Sequence, residues 1–256
     1  MRYALTGATG FVGGHLAAEL RHAGHEVVAV VRSPEKAGAL RDLGVQVVPG
    51  DVTSRTSLIE AFRGADGVFH VAGWYEVGSD HPERGWATNV QGTRNALDAA
   101  QKAEVPRIVY TSTLAVNSDT HGEVRDETYT YTGEHLSVYD HTKAQAHRIA
   151  DQYADRGLDV VTVMPGAIYG PGDTSQVGEL IRRTAHGHRV PAPAGLRLCM
   201  AHVDDIAHGH VLAMERGRAG EAYMLAGPQT SLVEVLRITA EIASGKAPIV
   251  LPDPVV

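Results

Sequence analysis

The chain has 256 residues, 43% of them apolar and 21% charged, and carries a formal net charge of −7. That balance describes a folded globular protein, and the acidic excess, with no basic run to offset it, excludes nucleic acid as the main partner. Its single cysteine, Cys199, cannot form an intramolecular disulfide and points to a cytoplasmic location, while no apolar run is long enough to span a bilayer, so no membrane is expected as a partner.

A short β-prone strand is expected over 2–5, too early to leave room for a signal peptide. It runs into Thr6-Gly7-Ala8-Thr9-Gly10-Phe11-Val12-Gly13-Gly14, and a helix is expected over 11–22. Strand, glycine-rich turn and helix together are how α/β proteins hold a phosphate: glycines let the backbone approach the ligand, and the helix N-terminus offers unpaired N–H groups and partial positive charge. The spacing here is G-x-x-G-x-x-G rather than G-x-G-x-x-G. Taken alone it reads equally as a phosphate cradle or a tight turn.

Residues 25–31 form a second, buried strand. In a dinucleotide fold the end of this strand meets the adenosine ribose, where an acidic residue suits a free 2′-hydroxyl and an arginine a 2′-phosphate. Arg32 stands there, with no acidic residue beside it, which favours a phosphorylated ribose. A short helix over 34–41 and a strand over 45–48 lead to Asp51. Its carboxylate either meets an adenine amino group or caps the helix expected over 53–63. A strand over 67–73 ends in the small residues Ala72 and Gly73, followed by Trp74 and Tyr75, which either line a pocket or pack over the sheet edge.

A long helix is expected over 83–103. Asn89 and Gly92 inside it are costly unless a close approach or a kink is wanted there. The strand over 106–113 ends in three hydroxyl residues, Thr111, Ser112 and Thr113, and a polar loop carrying Tyr131 spans 114–136. Tyr139 and Lys143 then open an amphipathic helix. Four residues apart they share a helix face, so the ammonium can favour the phenolate and bring the tyrosine towards proton exchange near neutrality.

The ordered set Thr6-Gly7-x-x-Gly10-x-x-Gly13, Asp51-Val52, His70-Val71-Ala72, Asn89-Val90-x-Gly92-Thr93, Thr111-Ser112-Thr113, Tyr139-x-x-x-Lys143, Pro165-Gly166-x-x-Tyr169-Gly170-Pro171-Gly172-Asp173 and His202-Val203-Asp204-Asp205 resembles the extended branch of the short-chain dehydrogenase/reductases. The likeness spans nearly the whole chain and is greatest to dihydroflavonol-4-reductase-like reductases of the epimerase/dehydratase superfamily. It implies a doubly wound parallel sheet, a Rossmann fold, over 1–170. A small C-terminal substrate-binding lobe over 171–256 would interleave with late core elements in a single compact unit.

By position, the resemblance makes Tyr139 the acid/base, Lys143 the residue that binds the nicotinamide ribose and depresses the tyrosine pKa, and Thr113 the hydroxyl on the substrate oxygen, with Ser112 as its alternate. Asn89 would bend its helix and help hold a water near the lysine. Thr6, Gly7, Thr9, Gly10, Phe11, Val12, Gly13, Arg32, Asp51, Val52, Val71, Ala72, Gly73, Tyr139, Lys143, Pro165, Gly166 and Ile168 would bind the cofactor, NADP(H) in preference to NAD(H). Trp74, Tyr75, Tyr131 and Tyr169 would face a small-molecule carbonyl or alcohol substrate. The resemblance also allows a homodimer, since many relatives pair through the two long helices.

Further elements are expected over 177–187 (helix), 198–203 (strand), 204–216 (helix capped by an aspartate), 221–226 (strand) and 231–244 (helix). His202, His208 and His210 with Asp204 and Asp205 match no recognisable metal-ligand spacing, so no metal is expected. The function implied is an NADP-dependent reductase or dehydrogenase of a ketone, aldehyde or secondary alcohol. A nucleotide-sugar epimerase or dehydratase that retains NAD is the alternative, and a dinucleotide-sensing regulator without activity is a third reading.

Overall fold

The computed structural model describes residues 1–75 and 81–252. The chain divides into two compact units. The first joins Met1–Pro165 to Asp204–Leu225; the second joins Gly166–Val203 to the segment from Ala226 on.

In the first unit strands and helices alternate: β1 (Arg2–Thr6), α1 (Phe11–His22), β2 (Glu26–Val31), α2 (Gly38–Asp42), β3 (Gln46–Pro49), α3 (Arg55–Phe62), β4 (Gly67–His70), α4 (Pro82–Gly85), α5 (Gly92–Lys102), β5 (Ile108–Thr111), α6 (Val138–Asp155) and β6 (Val160–Pro165). Seven parallel strands form the sheet in the order β10-β6-β5-β4-β1-β2-β3, closed on one side by β10 (Ala222–Leu225) after the late helix α8 (Val203–Arg216). Because helices cover both faces, β2 and β6 read as unbroken apolar runs, EVVAVV and VVTVMP. The strand order reverses beside β1, the point at which open α/β sheets take ligands, outside the carboxyl ends of their strands.

Side chains alternate across the sheet, which builds two cores. Tyr3, Leu5 and Val109 face one side and meet Leu16 and Leu20 of α1 and Met214 of α8. Ala4, Ile108 and Tyr110 face the other and meet Phe62 of α3, Leu97 of α5 and Ile149 of α6. The same alternation sends the hydroxyls that end β5 to opposite faces.

Several expected elements differ from the observed ones. The helix expected over 83–103 is three pieces, with a π-helical turn, Trp86–Gln91, between α4 and α5. The short helix expected over 34–41 divides into a 3₁₀ turn at Pro34–Lys36 and α2. Strand β6, which no expected element covers, lies between β5 and β10. Asp204 does not cap α8, which already begins at Val203; its carboxylate meets His15 of α1 at 2.6 Å.

The second unit contains β7 (Ala167–Tyr169), α7 (Gln176–Ala185), β8 (Pro191–Pro193), β9 (Arg197–His202), β11 (Gln229–Ser231), α9 (Leu232–Ile242) and β12 (Ile249–Leu251). It has a three-stranded sheet β11-β9-β7 and a two-stranded one, β12-β8. Its core gathers Val190, Ala192, Leu232, Val233 and Leu236 against Val177, Leu180 and Ile181 of α7.

Candidate active site

The glycine turn fits a dinucleotide phosphate on its own geometry. Gly7 has φ of +78°, a conformation side-chain-bearing residues rarely adopt, and a Cβ there would sit 2.6 Å from the backbone nitrogen of Ala72. A Cβ on Gly13 would run into the carbonyl oxygen of Gly7. The turn is closed by Gly10 N–H donating to Gly7 O at 2.9 Å. No side chain caps α1 and no acidic residue stands in its first turn, so the helix end offers bare amides to an anion. Thr9 and Gly10 are exposed, and Phe11 and Val12 are half-buried. Thr6 instead turns inward: its hydroxyl bonds His70 Nδ1 at 2.8 Å and receives Ala72 N–H at 3.3 Å.

At the ends of β2 and β3, Arg32, Pro49, Gly50, Asp51, Ser54 and Ser57 line a pocket of about 350 Å³. Arg32 is exposed there. Asp51 is not the cap of α3, whose N-cap residue is Ser54; one of its carboxylate oxygens accepts from Thr53 N–H and from the Thr53 hydroxyl, both at 2.8 Å. Val52 packs against Gly92, where a Cβ would come within 2.9 Å of its side chain, and its carbonyl accepts from Asn95 at 2.8 Å. A residue larger than glycine at 92 would push α5 off this contact.

The π-helical turn puts Asn89, buried, where its side chain serves three partners. It accepts Trp74 N–H at 2.7 Å and donates to Trp74 O at 3.1 Å and to Thr142 Oγ1 at 3.0 Å. Asn89 therefore clamps the segment after β4 (Val71, Ala72, Gly73, Trp74) to α6. The Trp74 ring is buried and its indole N–H meets no acceptor among the described residues. Tyr75 is exposed and touches the Tyr139 ring edge-on, with centroids 4.8 Å apart. Tyr131 is held in its loop, its N–H donating to Asn117 Oδ1 at 3.0 Å and its hydroxyl to Glu134 O at 3.0 Å.

Ser137 starts α6 by accepting Asp140 N–H at 3.1 Å, which places Tyr139 in the first turn and Lys143 one turn further on. The three hydroxyls of the β5 end then separate. Thr113 receives Ala115 N–H at 3.2 Å, and its hydroxyl is close enough to Tyr139 to oppose the rise of the phenol's pKa. Ser112 is buried and bonds His147 Nδ1 at 2.8 Å. Thr111, on the opposite face, bonds His210 Nε2 at 2.9 Å. Of the two hydroxyls expected to serve the substrate, Thr113 is the one beside the tyrosine.

Lys143 is buried, donating to Thr111 O at 2.6 Å and to the Tyr110 hydroxyl at 3.2 Å. Burial lowers its pKa to about 7. The expectation that it depresses the tyrosine is corrected here: burial pushes Tyr139 up to about 12, against a smaller lowering by the Thr113 hydrogen bond. Three histidines escaped the sequence reading as parts of this network. His70, His147 and His210 are each held neutral by burial, at about 3, about 4 and about 4.

Pro165 ends β6, buried. In the second unit, Gly166 lies where a side chain would meet the carbonyl of Cys199, Ile168 pairs with Ala201 across β7 and β9, and Tyr169 packs edge-on against His202 at 5.4 Å. His208 pairs with Glu19 at 2.8 Å, and among the described residues no three His, Cys, Asp or Glu side chains gather as a metal site. No helix among the described residues is long and apolar enough to cross a membrane.

A parallel doubly wound sheet, a bare helix N-terminus behind a glycine turn and a Tyr/Lys pair beside it define a dinucleotide-binding α/β protein. The chain belongs to the NAD-dependent epimerase/dehydratase family, whose model matches residues 3–226. It is 36% identical over 254 residues to a Synechocystis sp. protein that carries the provisional name dihydroflavonol 4-reductase, covering 95% of this chain and 73% of that one. It is 31% identical over 239 residues to a 3-beta-hydroxysteroid dehydrogenase of Mycolicibacterium neoaurum, covering 88% and 65%. Among solved structures, a dTDP-glucose 4,6-dehydratase from Streptomyces venezuelae with NAD bound is 25% identical with a TM-score of 0.86, covering 99% of this chain and 85% of that one.

Proposed function

We propose that the protein is an NADP-dependent oxidoreductase that interconverts a ketone or aldehyde and its alcohol, with Tyr139 as the acid/base. The observation that carries this reading is Tyr139 and buried Lys143 one turn apart on α6, with Lys143 donating to Thr111 O at 2.6 Å at the carboxyl end of β5. The bound nicotinamide supplies or accepts the hydride. Everything else falls to side chains of this chain. Thr113 orients the phenol, and Tyr139 gives its hydroxyl proton to the substrate oxygen on reduction and takes one back on oxidation. A phenol held near 12 keeps its proton at neutral pH and so rests as the acid. The glycine turn, the α1 amides, Asp51 and Val71 to Gly73 would hold the dinucleotide, with Pro165 serving its nicotinamide end. Arg32 would select a 2′-phosphate.

Trp74, Tyr75 and Tyr131 would favour a bulky apolar substrate, in keeping with the steroid substrate in the name of one relative. The likeness to an NAD-bound sugar dehydratase supports a second reading, an epimerase or dehydratase that keeps its cofactor. The two differ in stoichiometry: a reductase consumes one reduced nicotinamide per substrate, whereas the other returns its cofactor unchanged.

The test is a panel of carbonyl substrates followed by nicotinamide absorbance. Tyr139→Phe should lower kcat by about 10²–10⁴-fold; undiminished turnover would remove Tyr139 as the acid. Arg32→Ala should weaken NADP by about tenfold and leave NAD unchanged, the size of one charge-assisted contact. Equal effects on both cofactors would end the 2′-phosphate assignment.

A further inference from the structure

Two tyrosines meet at the site from different segments, Tyr75 after β4 and Tyr139 in the first turn of α6, and each is anchored through its neighbours. Trp74, just before Tyr75, has both backbone polar groups taken by the Asn89 side chain: its N–H donates at 2.7 Å and its carbonyl accepts at 3.1 Å. The same amide donates to Thr142 Oγ1 at 3.0 Å, and that hydroxyl donates to the Tyr139 carbonyl, also at 3.0 Å. One buried asparagine therefore ties together the backbones that carry the two rings. Gly85 of α4 ties them a second time. A Cβ there would lie 3.0 Å from the Trp74 ring and 3.4 Å from the side chain of Val138, the residue before Tyr139.

On these anchors the Tyr75 and Tyr139 rings stand at 86° to each other with centroids 4.8 Å apart, a favourable edge-to-face pairing. Tyr75 is 62% exposed, so its ring adds little to any core. What the ring does cover is the phenol of Tyr139.

We infer that Tyr75 is a positioning residue, whose ring fixes the attitude of the Tyr139 phenol and keeps water from one side of it. The inference rests on the reading of Tyr139 as the acid/base. Tyr75 passes no proton itself. Its part is to hold one ring still, so that the Tyr139 hydroxyl points one way when a substrate oxygen arrives. The electrostatics agree with the geometry. Burial is the largest cause of the rise of Tyr139 to about 12, and Tyr75 and Asp140 add to it.

The experiment compares Tyr75→Ala with Tyr75→Phe, which keeps the ring. In the protein without substrate, the rate at which tetranitromethane nitrates Tyr139 at pH 8 is read by mass spectrometry. It should rise about tenfold in Tyr75→Ala, because each unit of fall in the phenol pKa gives tenfold more of the reactive phenolate. Tyr75→Phe should stay at the parental rate. Tyr153, buried on the same helix, is the internal reference and should not change. In turnover Tyr75→Ala should lower kcat about tenfold, the size of one ring pairing, and Tyr75→Phe should restore it. A Tyr75→Ala/Tyr139→Phe double variant should be no slower than Tyr139→Phe alone, since the one residue acts through the other. Parental nitration in Tyr75→Ala, a rise shared by Tyr153, or a further full loss of kcat in the double variant overturns the inference. Because nitration needs no turnover, an undiminished Tyr139→Phe protein would end the acid/base reading, while the nitration rates still decide whether Tyr75 holds and shields the phenol.

Discussion

Two neighbouring residues at the end of β5, Thr111 and Ser112, each bond a histidine, and the two faces of the sheet use the pair differently. On the α8 face His210 is closed at both ends: Nδ1 donates to Ile206 O at 2.7 Å and Nε2 takes the Thr111 hydroxyl. Its tautomer is fixed and no nitrogen is left over. On the α6 face His147 has one nitrogen on Ser112 and the other turned towards the half-exposed Asp151. Burial makes both imidazoles neutral, yet only one has an end towards water. A buried hydroxyl–imidazole pair is a fastener when both ring nitrogens meet protein, and keeps an end towards water when one does not.

Acid should expose what the two faces share. With His70, His147 and His210 held well below the ordinary histidine value, the unfolded chain binds more protons than the folded one between about pH 4 and 6.5. Stability therefore rises with pH across that window and is lost as pH falls through it, by roughly 2–3 kcal/mol for each histidine. Asp151, raised to about 6, opposes this in part, because it binds its proton in the folded state first. Urea midpoints at pH 7, 5.5 and 4 would measure the slope, and a flat profile would contradict the buried neutral histidines.

Single substitutions then separate the faces. His210→Leu should leave the Thr111 hydroxyl without its acceptor and cost about 1–3 kcal/mol, lower the acid slope by one histidine's share, and leave kcat alone. A His210→Leu protein with a lowered kcat would erase the distinction. Asn89→Ala tests the clamp on the α6 side. It strands the Trp74 N–H and should cost about 1–2 kcal/mol in the thermal midpoint, with a raised KM because Trp74 and Tyr75 lose their anchor. An unchanged midpoint would show that the clamp carries no load.

Much of this arrangement was legible in the residues. The glycine turn, the sheet-buried apolar runs and the Tyr139/Lys143 spacing are local patterns, and local patterns survive folding. Asn89 and Gly92 were visible as a cost inside a helix, but nothing in the residues says that the cost is met by Trp74, Thr142 and Val52. His147 carried no signal and His210 showed only as part of a histidine–aspartate cluster without metal-ligand spacing, since each matters through a hydroxyl 35 or 99 positions away. Asp51 and Asp204 looked like helix caps because that is what aspartates before helices usually are; here their carboxylates go to Thr53 and His15. The second unit's strands of three residues, such as Pro191–Pro193, are too short for alternation to declare them.

The π-helical turn at Trp86–Gln91 also sets the phase of the helix that follows it. An extra residue in a turn rotates everything downstream by about 100° relative to a continuous α-helix. The Thr93 hydroxyl, which reaches His70 Nε2 at 3.3 Å, and Asn95, which holds Val52, face inward only because that rotation has taken place. Deleting one residue there would shorten the helix by little, yet it would turn the inward stripe of α5 to another side. The segment is therefore tolerant of substitution at its exposed positions and intolerant of any change in its count.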